Sequence, residues 1–404
     1  MTYVGNCRLG DLFTSRREKG RDGLPILSVT QSKGLVNRDD MERKLVTGLA
    51  PSEHLLVKPG DIAYNMMRMW QGAFGLAEHE GMASPAYVVL HPNENIDSLY
   101  ASQLFKTRRM IYLFWAYSHG LTEDRLRLYF PDFARIPVTV ASMRTQQKIS
   151  QLLATWDRAI AVSENLKLAT DECRRGIVHS LVLGRQRLGA DRSPWKRIRL
   201  KAVADILVSS VDKKHVIGES SVALCNYTHV YYNRYLDGKL KYDRGTASAS
   251  EMDRFKLRMG DIVITKDSEE PKDIGVAACV TEDVDDLVCG YHLAIVRPDK
   301  GRIDSVFLSA LFSLHEVRKH FAIQANGVTR FGLPVKAIES LFVRVPSISE
   351  QRKISQVVLH FDRLVASLDR QLQSLKRERD ALAQRFLGSD RTTASSSSNW
   401  GSTG

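Results

Sequence analysis

Thr145-Gln146-Gln147-Lys148-Ile149-Ser150-Gln151 recurs 205 residues later as Glu350-Gln351-Arg352-Lys353-Ile354-Ser355-Gln356. The echo continues from Trp156-Asp157-Arg158 to Phe361-Asp362-Arg363. Upstream, Lys58-Pro59-Gly60-Asp61-Ile62 matches Arg258-Met259-Gly260-Asp261-Ile262, and Ile96-Asp97-Ser98 matches Ile303-Asp304-Ser305, at offsets of 200 and 207. Order is kept and the spacing drifts by only a few residues. The chain therefore reads as a tandem duplication of a unit of about 200 residues, too long a period for a solenoid.

Each repeated heptapeptide opens a helical run. In the second run Ile354, Phe361, Leu368, Leu375 and Leu382 recur every seven residues, with Val358, Val365, Leu372 and Phe386 between them. Alternating steps of four and three make the apolar seam of a coiled coil. The first run keeps Ile149, Leu153, Trp156 and Ile160, weakens at Ser163 and Lys167, and resumes at Cys173, Ile177 and Leu181. Both runs end near a glycine, Gly184 or Gly388, suited to a left-handed cap. Helices of roughly 35 to 40 residues are on the order of 55 Å long and cannot bury such a stripe alone. The expectation is an antiparallel pair; the alternative is two unrelated surface helices.

The remainder of each unit reads as mixed α and β. Leu55-Leu56-Val57 and Ile62-Ala63-Tyr64 flank Pro59-Gly60, which predicts strand, type II turn and strand. Tyr87-Val88-Val89-Leu90 and Leu293-Ala294-Ile295-Val296 predict further strands, and Leu99 to Phe114 and Val306 to His320 have helical spacing. The fold class is α+β: two mixed α/β domains in pseudo-twofold tandem repeat, separated by two long antiparallel coiled-coil helices. The expected boundaries are 1–140, spacer helix 141–190, 191–346, spacer helix 347–388, and a Ser/Thr/Gly-rich tail at 389–404 expected to be disordered.

Lys and Arg outnumber Asp and Glu by 58 to 46, giving a net charge of +12, which favours a polyanionic partner. No run approaches the roughly 18 apolar residues of a membrane span, and the first residues lack signal-peptide order, so a cytoplasmic protein is expected. Cys7, Cys173, Cys225, Cys279 and Cys289 form no metal-ligand spacing and read mostly as core filler. The phosphate-cradling G-x-x-x-x-G-K-[ST] sequence is absent, as is the Asn/Asp-Pro-Pro-aromatic arrangement of an adenine methyltransferase.

With these residues in hand, the chain resembles the specificity subunit family of type I restriction-modification systems. The first domain carries most of the resemblance, through Ser28-Val29-Thr30, Lys33-Gly34-Leu35-Val36, Gly60-Asp61-Ile62-Ala63-Tyr64-Asn65, Trp70-Gln71-Gly72-Ala73, Ser84-Pro85-Ala86-Tyr87-Val88-Val89-Leu90, Gly120-Leu121 and Arg125-Leu126-Arg127. Arg135-Ile136-Pro137 into Gln146-Gln147-Lys148-Ile149, and Val343-Arg344-Val345-Pro346 into Glu350-Gln351-Arg352-Lys353-Ile354, resemble the junction of recognition domain and spacer helix. Thr145 in place of Glu350 is a small departure without bearing on DNA reading. The second domain matches only through its framework, Gly260-Asp261-Ile262 and the approach from Leu333 to Pro346. The resemblance covers about residues 1–388. It implies a non-catalytic protein that binds a bipartite double-stranded DNA target, one half-site per domain, with the helix pair setting the unread spacer. It also implies assembly with two methyltransferase (M) subunits and restriction-motor (R) subunits, which would use the S-adenosylmethionine, ATP and Mg2+. This chain itself would hold no cofactor.

Sequence reading requires donors presented to base edges: Arg for guanine, Asn or Gln for adenine. Asn65, Arg68, Trp70 and Gln71, directly after a strand, form the first candidate DNA-binding group, unless Trp70 packs inward. Thr122, Arg125 and Arg127 form a second, with surface salt bridges as the competing role. In the second domain Lys266, Asn326, Thr329 and Arg330 stand at matching places, Arg330 lying 205 residues beyond Arg125. Tyr227, Tyr231, Tyr232 and Arg234 make an aromatic-basic cluster that could meet a sugar-phosphate backbone or simply pack in a sheet. Two other functions compete: a basic scaffold for acidic protein partners, and a nuclease using Asp261, Glu270 and Lys272 around a metal ion.

Overall fold

The computed structural model describes residues 3–31, 33–41, 48–189 and 193–388. It divides into two compact units: residues 1–164 with 371–404, and residues 165–370. The tail at 389–404, expected above to be disordered, lies outside the described residues.

In the first unit, β1 (Tyr3–Arg8) leads through β2 (Phe13–Arg16), β3 (Ile26–Thr30) and β4 (Gly34–Asn37) to β5 (Leu55–Val57) and β6 (Ile62–Asn65). β7 (Phe74–Leu76), β8 (Gly81–Ala83) and β9 (Tyr87–Pro92) complete its sheets, followed by α1 (Ser98–Phe105), α2 (Arg108–Ala116), α3 (Phe130–Ala134) and β10 (Pro137–Ala141). The strands form two four-stranded sheets, β2-β9-β6-β7 and β4-β3-β8-β5, while β1 pairs with β10. The turn between β5 and β6 forms as its residues require: Gly60 has φ +89°, and the Asp61 amide donates to the Lys58 carbonyl at 3.0 Å. An aromatic core of Phe13, Phe105, Phe114 and Phe133 seats the helices on the first sheet.

The second unit repeats this plan with insertions. After α4 (Met143–Val182) come β11 (Lys196–Arg199), β12 (Ala204–Val208), β13 (Ser220–Cys225), α5 (Tyr227–Tyr232), β14 (Tyr235–Leu236), β15 (Asp243–Ala247) and α6 (Ala249–Phe255). β16 (Ile262–Thr265), β17 (Asp267–Ser268), β18 (Ala277–Val280), β19 (Leu287–Cys289) and β20 (Leu293–Pro298) follow. The unit then runs through α7 (Ser305–Phe312), α8 (His315–Gln324), β21 (Phe331–Gly332), α9 (Val335–Glu339) and β22 (Phe342–Val345) into α10 (Ile348–Leu387). The order β12-β20-β16-β18 repeats β2-β9-β6-β7, the parallel pair β13 and β19 repeats β3 and β8, and β11 with β22 repeats β1 with β10.

Helices α4 and α10 are 40 residues each. Within the first unit they are joined by Asp157 with Arg379 (2.9 Å) and Glu164 with Lys376 (2.6 Å). Within the second they are joined by Lys167 with Asp369 and by Arg174 with Asp362 (3.3 Å). Numbers rise along one helix as they fall along the other, so the pairing is antiparallel. Asp157 and Asp362 are repeat equivalents, as are Arg174 and Arg379, so the same ion pair occurs once per unit. The seam residues Ile354, Val358, Phe361, Val365, Leu368, Leu372, Leu375 and Leu382 are all buried or half-buried, and so are Ile149, Leu153, Trp156 and Ile160. Leu382 and Phe386 pack against the first unit's core, whereas Val178 and Leu181 enter the second's.

Two expectations about the helices need correction. Cys173 is exposed, and the seam instead continues in strict heptad register through Lys167 to Arg174. The Arg174 side chain is only 6% exposed, and its charge is met by Asp171 and Asp362, which is how a cation occupies a seam position. Gly184 takes the left-handed cap with φ +70°, but Gly388 does not.

The repeated heptapeptide is a buried latch. Gln146 accepts from the Asp97 amide at 2.8 Å and donates to the carbonyls of Asn95 and Ala141; Gln351 does the same to Asp304, Arg302 and Pro346. Ser150 donates to the Asp97 carboxylate and Ser355 to that of Asp304. Asp97 and Asp304 are themselves the N-caps of α1 and α7. Each long helix is thereby fastened to its own α/β domain by fully satisfied polar groups. Glu350 has a role that Thr145 lacks. It accepts two hydrogen bonds from Arg187, each at 2.8 Å, and others from the Leu188 and Gly189 amides, tying the connection after α4 to the start of α10. These bonds hold its carboxyl below the ordinary 4.5, against the opposing effect of burial.

Candidate nucleic-acid interface

The Gly-Asp turn at the head of β6 and of β16 buries a carboxylate in each unit. Asp61 is paired with Arg16 from β2 at 2.6 Å, and Asp261 with Arg297 from β20 at 2.8 Å. Both aspartates are almost wholly buried, and each accepts the amide three residues before it, Lys58 or Arg258. The hydrogen bond to its aspartate raises each arginine's pKa. The nuclease expectation fails at this point, because both Asp261 oxygens are occupied by Arg297 and the Arg258 amide. Glu270 and Lys272 pair with each other at 2.5 Å on the surface.

In the first unit the structure brings the two candidate groups together. Asn65 ends β6, and its side-chain oxygen accepts the Met67 amide at 2.9 Å, starting a tight turn through Arg68. Met69 is fully buried, Trp70 is half-buried with its indole N–H donating to the Met67 carbonyl at 3.1 Å, and Arg68 is exposed. Gln71 is half-buried and holds Gln31 through its backbone carbonyl. Beside this turn, His119 and Arg127 pair through both backbone bonds and close a hairpin bearing exposed Thr122, Arg125 and Arg127. The Leu128 amide donates to the Met66 carbonyl at 2.9 Å, and the Tyr64 hydroxyl to the Leu128 carbonyl at 3.2 Å. Turn and hairpin thus share one anchorage.

The second unit reproduces that anchorage with different side chains. The Leu333 amide donates to the Lys266 carbonyl at 2.8 Å, and Asn326 pairs with Gly332 to close a hairpin carrying exposed Asn326, Thr329 and Arg330. Lys266 itself is mostly buried, with its ammonium on Asp267 at 2.6 Å. Arg330 reaches the His292 Nε2 at 2.7 Å, and the His292 Nδ1 faces Asp267 at 2.9 Å. A guanidinium only donates, so the ring nitrogen facing it is placed as the acceptor while the other faces the carboxylate. Burial pushes the Asp267 carboxyl up, but hydrogen bonds from Lys266 and His292 outweigh it and hold it below 3.8. His292 has φ +72°, unusual for a residue with a side chain, and this backbone turns the ring toward the hairpin.

Tyr227, Tyr231 and Tyr232 lie on the short helix α5, not in a sheet. Tyr227 and Tyr231 stack at 5.5 Å, Tyr227 facing Ser268 and Tyr231 donating to Asp273 at 3.1 Å; Tyr232 is 76% exposed. Arg234 lies 3.8 Å from Asp362 on α10, so it faces the helix pair. Tyr227, Asp267, Ser268, Glu270, His292 and Arg330 border a cleft of about 330 Å3. Thus Asn65, Arg68, Trp70, Gln71, Thr122, Arg125 and Arg127 gather in the first unit, and Tyr227, Lys266, Asn326, Thr329 and Arg330 in the second. Sequence reasoning missed His292 and Asp267, which lie far from Arg330 in the chain and meet it only through the fold.

Comparison with solved structures decides the fold. The S subunit of a type I restriction-modification system from M. genitalium superposes with a TM-score of 0.58, covering 95% of both chains at 15% identity. The chain has the fold of a type I specificity subunit. A second solved chain, from work on complex assembly and conformational transition of the type I restriction-modification system, matches with a TM-score of 0.53, covering 95% of this chain and 96% of that one at 16% identity. A type I restriction enzyme specificity subunit of Methanocaldococcus jannaschii, MjaX, is 23% identical over 137 residues, which are 33% of this chain and 32% of that relative. The aligned part spans about a third of that curated relative. No protein-family model matches the chain. Among the described residues, no helix is long and apolar enough to cross a membrane.

Proposed function

We propose that this chain is the non-catalytic DNA-specificity subunit of a type I restriction-modification enzyme. Each α/β unit reads one half-site of a bipartite duplex, and the paired helices α4 and α10 set the unread spacer. The observation that carries this reading is the duplicated exposed hairpin, Thr122 with Arg125 in one unit and Thr329 with Arg330 in the other, each anchored beside the end of a central strand. A hairpin with Thr and Arg at its tip presents hydroxyl and guanidinium donors of the kind that read base edges, and the net charge of +12 supplies phosphate attraction.

Two methyltransferase subunits and the restriction-motor subunits would assemble on this scaffold in the cytoplasm. They would supply the adenine methylation and ATP-driven cleavage, with S-adenosylmethionine, ATP and Mg2+ bound in those partners. Gel-shift competition by the full chain at fixed salt tests the reading. One duplex sequence is expected to compete at least 1,000-fold better than scrambled duplex, on the order of the ratio found for specific DNA-binding proteins. Equal competition by all sequences, with tight capture of acidic protein partners instead, would replace it with the scaffold reading.

A further inference from the structure

The tips of the two hairpins share more than their arginines. Gly120-Leu121-Thr122 and Gly327-Val328-Thr329 stand at the same place, 207 residues apart, in two domains that otherwise have little sequence in common. Leu121 is 95% exposed and Val328 91% exposed, so each is an aliphatic side chain at a loop tip with almost no protein contact. A lone exposed apolar residue needs no explanation, but the same one twice, on the segment that carries the reading side chains, does.

The backbone also comes close at each tip. A Cβ on Gly120 would collide with the Arg125 carbonyl, and a Cβ on Gly327 with the Arg330 carbonyl. Gly327 moreover sits at φ +147°. In both copies the glycine allows the returning strand to press against the tip, holding the aliphatic residue out beside the threonine and arginine.

On the reading of these hairpins as DNA contacts, we infer that Leu121 and Val328 each pack on the 5-methyl group of a thymine in the major groove, one per half-site. The major groove admits a two-stranded ribbon, and thymine is the one base that offers an apolar group there. The second tip carries exposed Arg330 beside Thr329, while in the first Arg125 and Arg127 share the hairpin with Glu123 and Asp124, so the attraction to nucleic acid comes from the chain's net charge of +12 and the tip's part is the apolar contact. The expected chemistry of a half-site is therefore a thymine next to the base pair that its arginine reads.

The test uses the full chain. Duplexes retained from a random library give the target, and each thymine in it is then replaced singly by deoxyuridine, which removes only the methyl. The expected result is one sensitive thymine in each half-site, with affinity falling about fourfold, as for one buried methyl. That sensitivity disappears in one half-site for Leu121→Ala and in the other for Val328→Ala, each variant leaving the opposite half-site unchanged. Half-sites without thymine, uracil neutral throughout, or sensitivity that persists in both variants overturns the inference while a recovered target leaves the proposed function standing. Bright 2-aminopurine beside the tip residue would also overturn it, by showing a wedge between bases. Failure to retain any preferred sequence would remove the proposed function and this inference together.

Discussion

The duplicated ion pair allows a prediction in which one copy controls for the other. Asp362 is 9% exposed and Arg174 6%, and the Tyr235 hydroxyl also donates to Asp362 at 2.6 Å. Burial, reinforced by that carboxylate, pushes the Tyr235 hydroxyl well above its ordinary pKa. Asp362→Asn leaves the buried guanidinium without its countercharge in the seam. Asp171 still reaches Arg174 at 2.9 Å, so the expected cost takes the low end for a broken buried pair, about 3 kcal/mol. In a unit of roughly 200 residues this lowers the unfolding midpoint by about 6 to 12 °C. In the equivalent pair Asp157 is 41% exposed and Arg379 15%. Asp157→Asn should therefore cost under about 1 kcal/mol. Calorimetry on both variants reads the contrast. Replacing the whole set at once, Arg174→Met with Asp362→Leu and Tyr235→Phe, should recover most of the loss, because no buried charge is then left unpaired. Equal shifts for the two aspartate variants, or no shift in either, would refute the reasoning that burial sets the value of this pair.

Four further outcomes follow from the same structure. Arg125→Ala should relax base preference in one half-site only, and Arg330→Ala in the other, by about 1 to 3 kcal/mol at one base pair in a binding assay against single-base variants; a uniform loss across sequences would mark phosphate contacts. Deleting seven residues from each of α4 and α10 in register removes about 10 Å of helix and should shorten the spacer by about three base pairs, so an unchanged spacer would refute the ruler role. The pH dependence of Glu350 has a definite sign. Its folded pKa is depressed, so its contribution is complete above the ordinary value of 4.5 and is lost as pH falls below that through the folded value. Glu350→Gln should therefore melt lower at neutral pH and lose less on acidification than the parent. Gly327→Ala should abolish recognition of the second half-site while the thermal midpoint of the other unit stays constant.

The long helices could be read from sequence because a heptad seam is a local, periodic signal, and all of its predicted aliphatic members turn inward. Its polar positions could not. Cys173 looked like the apolar continuation, whereas the register places Arg174 there, and only the opposing Asp362 makes that tolerable. The strand-turn-strand units were legible from Pro59-Gly60 and Gly260, since a positive φ is a backbone demand written in one residue. The partners of Asp61 and Asp261 were not, because one arginine comes from β2 and the other from the strand equivalent to β9. For the candidate interface, the fixed repeat offset related Arg330 to Arg125. The second-unit set of Asp267, His292 and Arg330 stayed hidden because it joins three segments far apart in the chain, and the two hairpins differ in length, which masks the shared Gly-Leu-Thr and Gly-Val-Thr tips.

The most direct test of the whole account is the methylation pattern of a genome in a cell that carries this chain with its methyltransferase partner. Methylated adenines are expected only within one sequence made of two short defined words and a fixed unread gap, with Arg125→Ala loosening one word alone. Methylation at a single continuous word, or a pattern indifferent to changes in this chain, would contradict it.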